Sequence, residues 1–248
     1  MNFTDKERLL LARELAIREA SNNLIGTLGE KLIHKTIKYY ISETVENHEQ
    51  KVKNAVADVM VDGAIYEIQT RLLSRLVPKL RRFLEEYPVT VVYPLVTEQN
   101  IVWLSPESGE ASEPKRSSKR QIAPSALYEL SSLFELLDEE GVTVELLLLR
   151  ATEYRLSDGY GSLGHKRATK INIHPDEIYE QITLSSRADL SKLLPRVPDR
   201  FTAKEFYKAL KLRDRQGYYA LKALEKYGFL SAVEKRGKAV IYTVKKQM

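Results

Sequence analysis

Asp58, Glu67 and Gln69 flank a two-residue Asp62-Gly63 segment that separates the β-branched runs Lys53 to Val61 and Ala64 to Thr70. Asp-Gly between such runs is a strong hairpin signal, because a tight type I′ turn needs positive φ at both central residues. With only two residues in the loop, Val61 pairs with Ala64, Asp58 faces Glu67 and Val56 faces Gln69. The period-two rule then places Asp58, Glu67 and Gln69 on one face of the sheet. Opposed β-carbons lie about 4.5–5.5 Å apart, where like charges destabilise the pair unless something compensates. A divalent cation compensates, and oxygen-rich sites of this kind suit Mg²⁺ or Mn²⁺, which take one or two carboxylates and complete their shell with water and substrate phosphate.

The elements that position these residues are legible on either side. Residues 24–41 carry Leu24, Leu28, Leu32, Ile33, Ile37 and Ile41 at spacings of an amphipathic helix. Glu30 and His34 lie within about 60° of Ile37 and Ile41 on the helical wheel, so they sit on an otherwise apolar face and need a partner there. His34 reads as a neighbour of the site, outside the set of metal ligands. A strand before the hairpin is weakly signalled near Thr44 to Lys51. Residues 72–87 read as a helix with Pro78 in its first turn, and Val89 to Val96 as a short apolar strand. Further strands are expected at Asn100 to Leu104 and Val142 to Leu149, with a helix at Ser125 to Asp138. Glu107 to Gln121 is polar loop chemistry, and residues 155–175 a glycine-containing loop or linker, with helical pattern resuming at Pro175.

A helix bearing Glu30, a hairpin with Asp58 on one strand and Glu67-Ile68-Gln69 on the next, then a helix and a strand, resembles the core of the PD-(D/E)xK nuclease superfamily over roughly residues 24–96. The resemblance implies an α/β, restriction-endonuclease-like core with a mixed sheet in αββαβ order. It implies that Asp58 and Glu67 bind Mg²⁺ (or Mn²⁺), that Glu30 assists, and that Gln69 stands where the family's Lys positions or activates water. Two departures are present: Gln69 replaces that Lys, and Ala57 stands where the family name has Pro. Glutamine hydrogen-bonds a water but cannot stabilise hydroxide by charge.

The last 60 residues differ in charge from the rest. Residues 201–248 hold twelve Lys and Arg against four Asp and Glu, a net of +8, and the chain as a whole is +5, which leaves −3 for residues 1–200. A basic unit on a slightly acidic chain suggests a polyanionic partner. Residues 186–248 read as helix, helix, helix, hairpin, with a capping box at Thr202 and Glu205. Arg215, Tyr219, Lys222 and Lys226 recur on one helical face, opposite the Ala220, Leu221, Leu224 stripe, and Arg236-Gly237-Lys238 form a cationic hairpin tip. This resembles a winged helix-turn-helix, which implies that the Arg215 to Tyr227 helix enters the major groove of double-stranded DNA and that the wing touches its backbone. Further basic clusters are Lys115, Arg116, Lys119 and Arg120, then His165, Lys166 and Arg167, and Arg71, Arg75, Lys79 and Arg82, the last able to guide phosphates along the second core helix.

The 248 residues accommodate two domains: a nuclease-like core over 1–154 with an N-terminal helix, a connecting segment over 155–185, and a winged helix over 186–248. The chain has no cysteine, which excludes disulfides, thiol nucleophiles and Cys-based zinc sites. No apolar run approaches the ~20 residues of a membrane helix, and the amino terminus lacks a secretory pattern, so a cytoplasmic protein without membrane contact is expected. The function expected is a metal-dependent nuclease acting on DNA; the alternative is a catalytically inactive nuclease-fold DNA-binding regulator. Either is compatible with a homodimer, and a protein-interaction module is a third reading.

Overall fold

The computed structural model describes residues 4–22, 32–118, 120–157, 169–237 and 239–245. Glu30, Lys119, Lys238 and the 165–167 cluster lie outside the described residues. The architecture is α/β, built on a mixed sheet. Helices α1 (Asp5–Asn22) and α2 (Leu32–Ile41) are followed by strands β1 (His48–Val52), β2 (Ala55–Val61) and β3 (Ala64–Ile68). Helix α3 (Val77–Phe83), strand β4 (Val89–Leu104), the short strand β5 (Lys115–Arg116), helix α4 (Leu127–Leu130) and strands β6 (Val142–Leu156) and β7 (Thr169–Leu184) complete this part. The sheet order is β1-β2-β3-β4-β6-β7, with β5 on β4. Strands β3, β4 and β6 are mutually parallel, whereas β1-β2-β3 and β6-β7 are antiparallel.

The central strands are apolar on both faces, as parallel strands covered on both sides must be. Val92, Leu147 and Leu149 pack with Ile33 and Ile37 of α2 and Leu9 of α1. Val91, Val144, Leu146 and Leu148 point the other way, toward Leu80 and Phe83 of α3 and Leu127, Leu130 and Phe134. That second core continues without a break into Phe201, Phe206, Leu224 and Phe229 of the carboxyl-terminal unit. This unit has strands β8 (Phe201–Thr202), β9 (Leu230–Arg236) and β10 (Ala239–Val244) in the order β8-β10-β9, with helices α5 (Ala203–Ala209) and α6 (Asp214–Lys226).

The weakly signalled strand before the hairpin is present as β1. Four expectations need correction. The helix expected over 72–87 is shorter, a 3₁₀ turn at Leu73–Arg75 followed by α3 with Pro78 in its first turn. Val89 to Val96 and Asn100 to Leu104 form one strand with an irregularity between Val96 and Glu98. The helix expected from Ser125 to Asp138 breaks into 3₁₀ turns at Ala123–Ala126 and Leu136–Asp138 around a single α-turn. Residues 169–184, read as linker and then helix, form the edge strand β7, and the segment Arg187–Leu193 that follows is 3₁₀. Pro175 is tolerated there because β7 has a partner on one side only.

Candidate active site at the splayed hairpin

Asp62 (φ 51°) and Gly63 (φ 75°) both adopt positive φ, as a type I′ turn requires. Val61 pairs with Ala64, Met60 with Ile65 and Val59 with Tyr66, the register expected from the two-residue loop. One residue further on, Asp58 and Glu67 fall opposite each other and the ladder stops. Side chains take its place: the Asp58 N–H donates to Glu67 Oε1 at 3.1 Å, and the Ile68 N–H donates to Asp58 Oδ2 at 2.8 Å. Each carboxylate thus satisfies a main-chain donor that the opened ladder leaves behind.

The departure from regular alternation has a location. Ala55 and Ala57 belong to the core beneath α3, whereas Val59 and Val61 belong to the core beneath α2, so β2 exchanges its faces at Asp58. Glu49, opposite Asp58 on β1, takes a positive φ of 51°, which marks the same kink. The simple period-two placement of three side chains on one face therefore does not hold. Val56 pairs with Lys51 of β1, not with Gln69. Gln69 is half-buried and extends the β3–β4 pairing through its N–H to Val92 O at 3.0 Å.

The outer contacts of the two acids come from opposite sides of the sheet. His34 Nε2 on α2 lies 3.3 Å from Asp58 Oδ2, and Lys79 Nζ on α3 donates to Glu67 Oε2 at 2.7 Å. Asp58 retains 20% side-chain exposure, whereas Glu67 retains 1%. Burial, and then the charge of Asp58, push the Glu67 carboxyl up to about 7 despite Lys79. Burial also raises Asp58, but the hydrogen bond and charge of His34, the Ile68 N–H and Lys79 outweigh it and hold that carboxyl below its ordinary value. The result is one acid held ionised beside another whose proton is labile near neutrality, a perturbation of the kind that clusters at functional sites.

Two carboxylates thus meet here with the charge of Asp58 disfavouring the anion of Glu67, while the Glu67 oxygens accept from the Asp58 N–H and from Lys79. Among the described residues no group of three or more His, Cys, Asp or Glu side chains is placed so that it could hold a metal ion. Lys79 was legible only as one of four basic residues along a helix. Its contact with Glu67 across twelve residues depends on how α3 packs, and no local spacing announces it.

The carboxyl-terminal residues are placed less uniformly. Arg215 and Tyr219 are exposed on α6, and Lys222 forms an ion pair with Glu225 at 2.6 Å. Lys226 reaches Glu135 of the first unit at 2.9 Å, alongside the Tyr227 hydroxyl at 2.7 Å, so the end of α6 is docked on the core. Arg236 pairs with Glu234 at 2.8 Å. Of the other basic cluster, Arg116 pairs with Glu98 at 3.3 Å.

A family model matches residues 31–185, which is more than half of the chain and spans α2 through β7. The chain belongs to that family, DUF8091, a domain of unknown function. The DUF8091 portion contains the whole first sheet and the Asp58–Glu67 site. An uncharacterized protein of Treponema pallidum (strain Nichols) is 27% identical over 223 residues, covering 88% of this chain and 86% of its own. No solved structure matches. Among the described residues no helix is long and apolar enough to cross a membrane.

Proposed function

We propose that the chain is a metal-dependent nuclease of the PD-(D/E)xK type, acting in the cytoplasm on DNA that a carboxyl-terminal winged helix holds. The single observation that carries the reading is the Asp58–Glu67 pair at the point where β2 and β3 part, with a cation-bearing helix beside it. The order β8, α5, α6, β9, β10 and the net charge of that unit support the second half of the proposal.

In this reading Asp58 and Glu67 would hold Mg²⁺ or Mn²⁺, which would supply Lewis acidity toward a phosphodiester and a water. His34 keeps Asp58 ionised and oriented. Glu67 has to release its proton to hold a cation, which its position near neutrality permits. Gln69 hydrogen-bonds the water, while Lys79 supplies beside Glu67 the fixed positive charge that a glutamine lacks. Glu30, which the resemblance implies assists, lies outside the described residues. A second reading, an inactive nuclease-fold regulator, draws on Gln69 and on the pairing of Lys79 with Glu67 at 2.7 Å.

Cleavage assays on plasmid and oligonucleotide substrates with Mg²⁺ or Mn²⁺ separate the two. The active reading expects cleavage by the wild type and a loss of at least about a hundredfold in Asp58→Ala and Glu67→Ala. Salt-sensitive DNA binding with no cleavage by any preparation leaves the regulator.

A further inference from the structure

The carboxyl-terminal unit contains a groove of about 520 Å³ between the start of α5, the first half of α6 and β10. Its walls are Tyr207, Tyr218, Tyr242, Leu221 and Val240, and Lys204 stands at its edge. The aromatic walls are fixed by packing. A β-carbon on Gly217 would lie 2.4 Å from the Tyr207 ring, so α6 approaches that ring as closely as glycine allows. Tyr242 stacks on Phe201 at 6.4 Å, and Phe201 on Phe206 at 5.4 Å. Tyr218 is different: it is 49% exposed, and its ring meets that of Tyr219, itself 48% exposed, edge-on at 5.8 Å. Two large aromatic rings therefore stand in solvent at the mouth of an aromatic-lined groove.

Charge surrounds this mouth. Arg215 precedes Tyr218 and Tyr219 by one helical turn, and Lys222 follows by another. Among the described residues Lys204 and Arg215 take part in no ion pair. By contrast Lys226 and Arg236, expected to serve a duplex backbone, are held by Glu135 and Glu234. Two unpaired cations thus lie beside the tyrosines, and the far end of the helix is tied down.

We propose that this groove binds an unpaired nucleobase, with the flanking phosphates met by Lys204 and Arg215, so that the unit prefers single-stranded to duplex nucleic acid. Stacking on tyrosine tolerates any base because every base has a π-face, and a strand's phosphates favour a cationic rim. In a duplex both faces of each base are already covered, so a paired base cannot enter. The inference rests on the reading that this unit contacts nucleic acid, and is independent of cleavage.

The test is fluorescence anisotropy of the full chain in EDTA, with a labelled oligothymidylate and a labelled duplex of equal length. The expected result is tighter binding of the single strand, a loss of about tenfold in Tyr218→Ala, retention in Tyr218→Phe, and duplex affinity unchanged by either. Because Tyr218 is half exposed, neither variant disturbs the core. Duplex binding without single-strand preference, or equal single-strand affinity of wild type and Tyr218→Ala, overturns the inference and leaves the nuclease proposal standing. Failure to bind either strand form at low salt overturns both the inference and the proposed nucleic-acid substrate.

Discussion

Asp58 and Glu67 are each held by the other's strand, and this arrangement is costly when both are charged. Glu67 is 1% exposed, and its folded-state value of about 7 lies above the ordinary 4.5 because burial and Asp58 both disfavour its anion. For an acid raised on folding, the native state binds more protons than the unfolded chain between those two values, so stability falls as pH rises through that window. Glu67→Gln, which removes the charge and keeps an acceptor for the Asp58 N–H, should therefore exceed the wild type in stability by about 1–3 kcal/mol at pH 8. That advantage should shrink toward pH 5, where Glu67 is itself protonated; urea unfolding at the two pH values measures it. A destabilised Glu67→Gln at pH 8 would show that Lys79 more than offsets the burial. The opposition of the two acids was readable in the sequence because Asp62-Gly63 sets the register by a local steric rule. The face exchange of β2 was not, since it depends on which of the two cores each residue of the strand joins, and neither was the reach of Lys79.

Among the elements, those defined by local rules match expectation and those defined by neighbours do not. The turn, the capping box at Thr202 and Glu205, and α6 follow from side-chain size, hydrogen-bonding groups and period. Strand β7 was obscured because Pro175 resembles a helix start and because three register irregularities against β6 blur its alternation. The 123–138 segment has helical composition, but it wraps against the sheet in separate short turns, which only the shape of the core dictates. Gly217 in α6 shows a packing constraint overriding propensity. A helical Gly→Ala change ordinarily gains about 1 kcal/mol. Here the new methyl would meet Tyr207 at 2.4 Å, and forcing that ring aside is an overpacking cost of about 1–3 kcal/mol. Gly217→Ala should be destabilising by about 1–2 kcal/mol in thermal or urea unfolding, and a gain would show that Tyr207 moves freely.

At the scale of the whole molecule, the first sheet and the carboxyl-terminal unit share one core. Phe134 and Tyr227 meet edge-on at 5.8 Å, Arg187 lies over the Tyr227 ring at 4.9 Å, and Glu135 anchors the end of α6. Residues 169–184 of the segment expected to link two separate domains form a strand of the first sheet. The basic unit is therefore held in a set orientation to the face of the sheet that carries α3 and Lys79. A strand bound by the one unit has a defined position relative to the acids of the other, which is what cleavage at a tethered site needs.

The central claim is that a divalent ion resolves the conflict between the two opposed acids. Titration of the purified chain with Mn²⁺, followed by electron paramagnetic resonance of the free ion, addresses it without requiring a substrate or any turnover. The expected result is saturable binding by the wild type that is lost in Asp58→Asn and in Glu67→Gln, and that weakens as pH falls below about 7 with protonation of Glu67. Binding that is absent in the wild type, or unchanged in both variants, would contradict the claim.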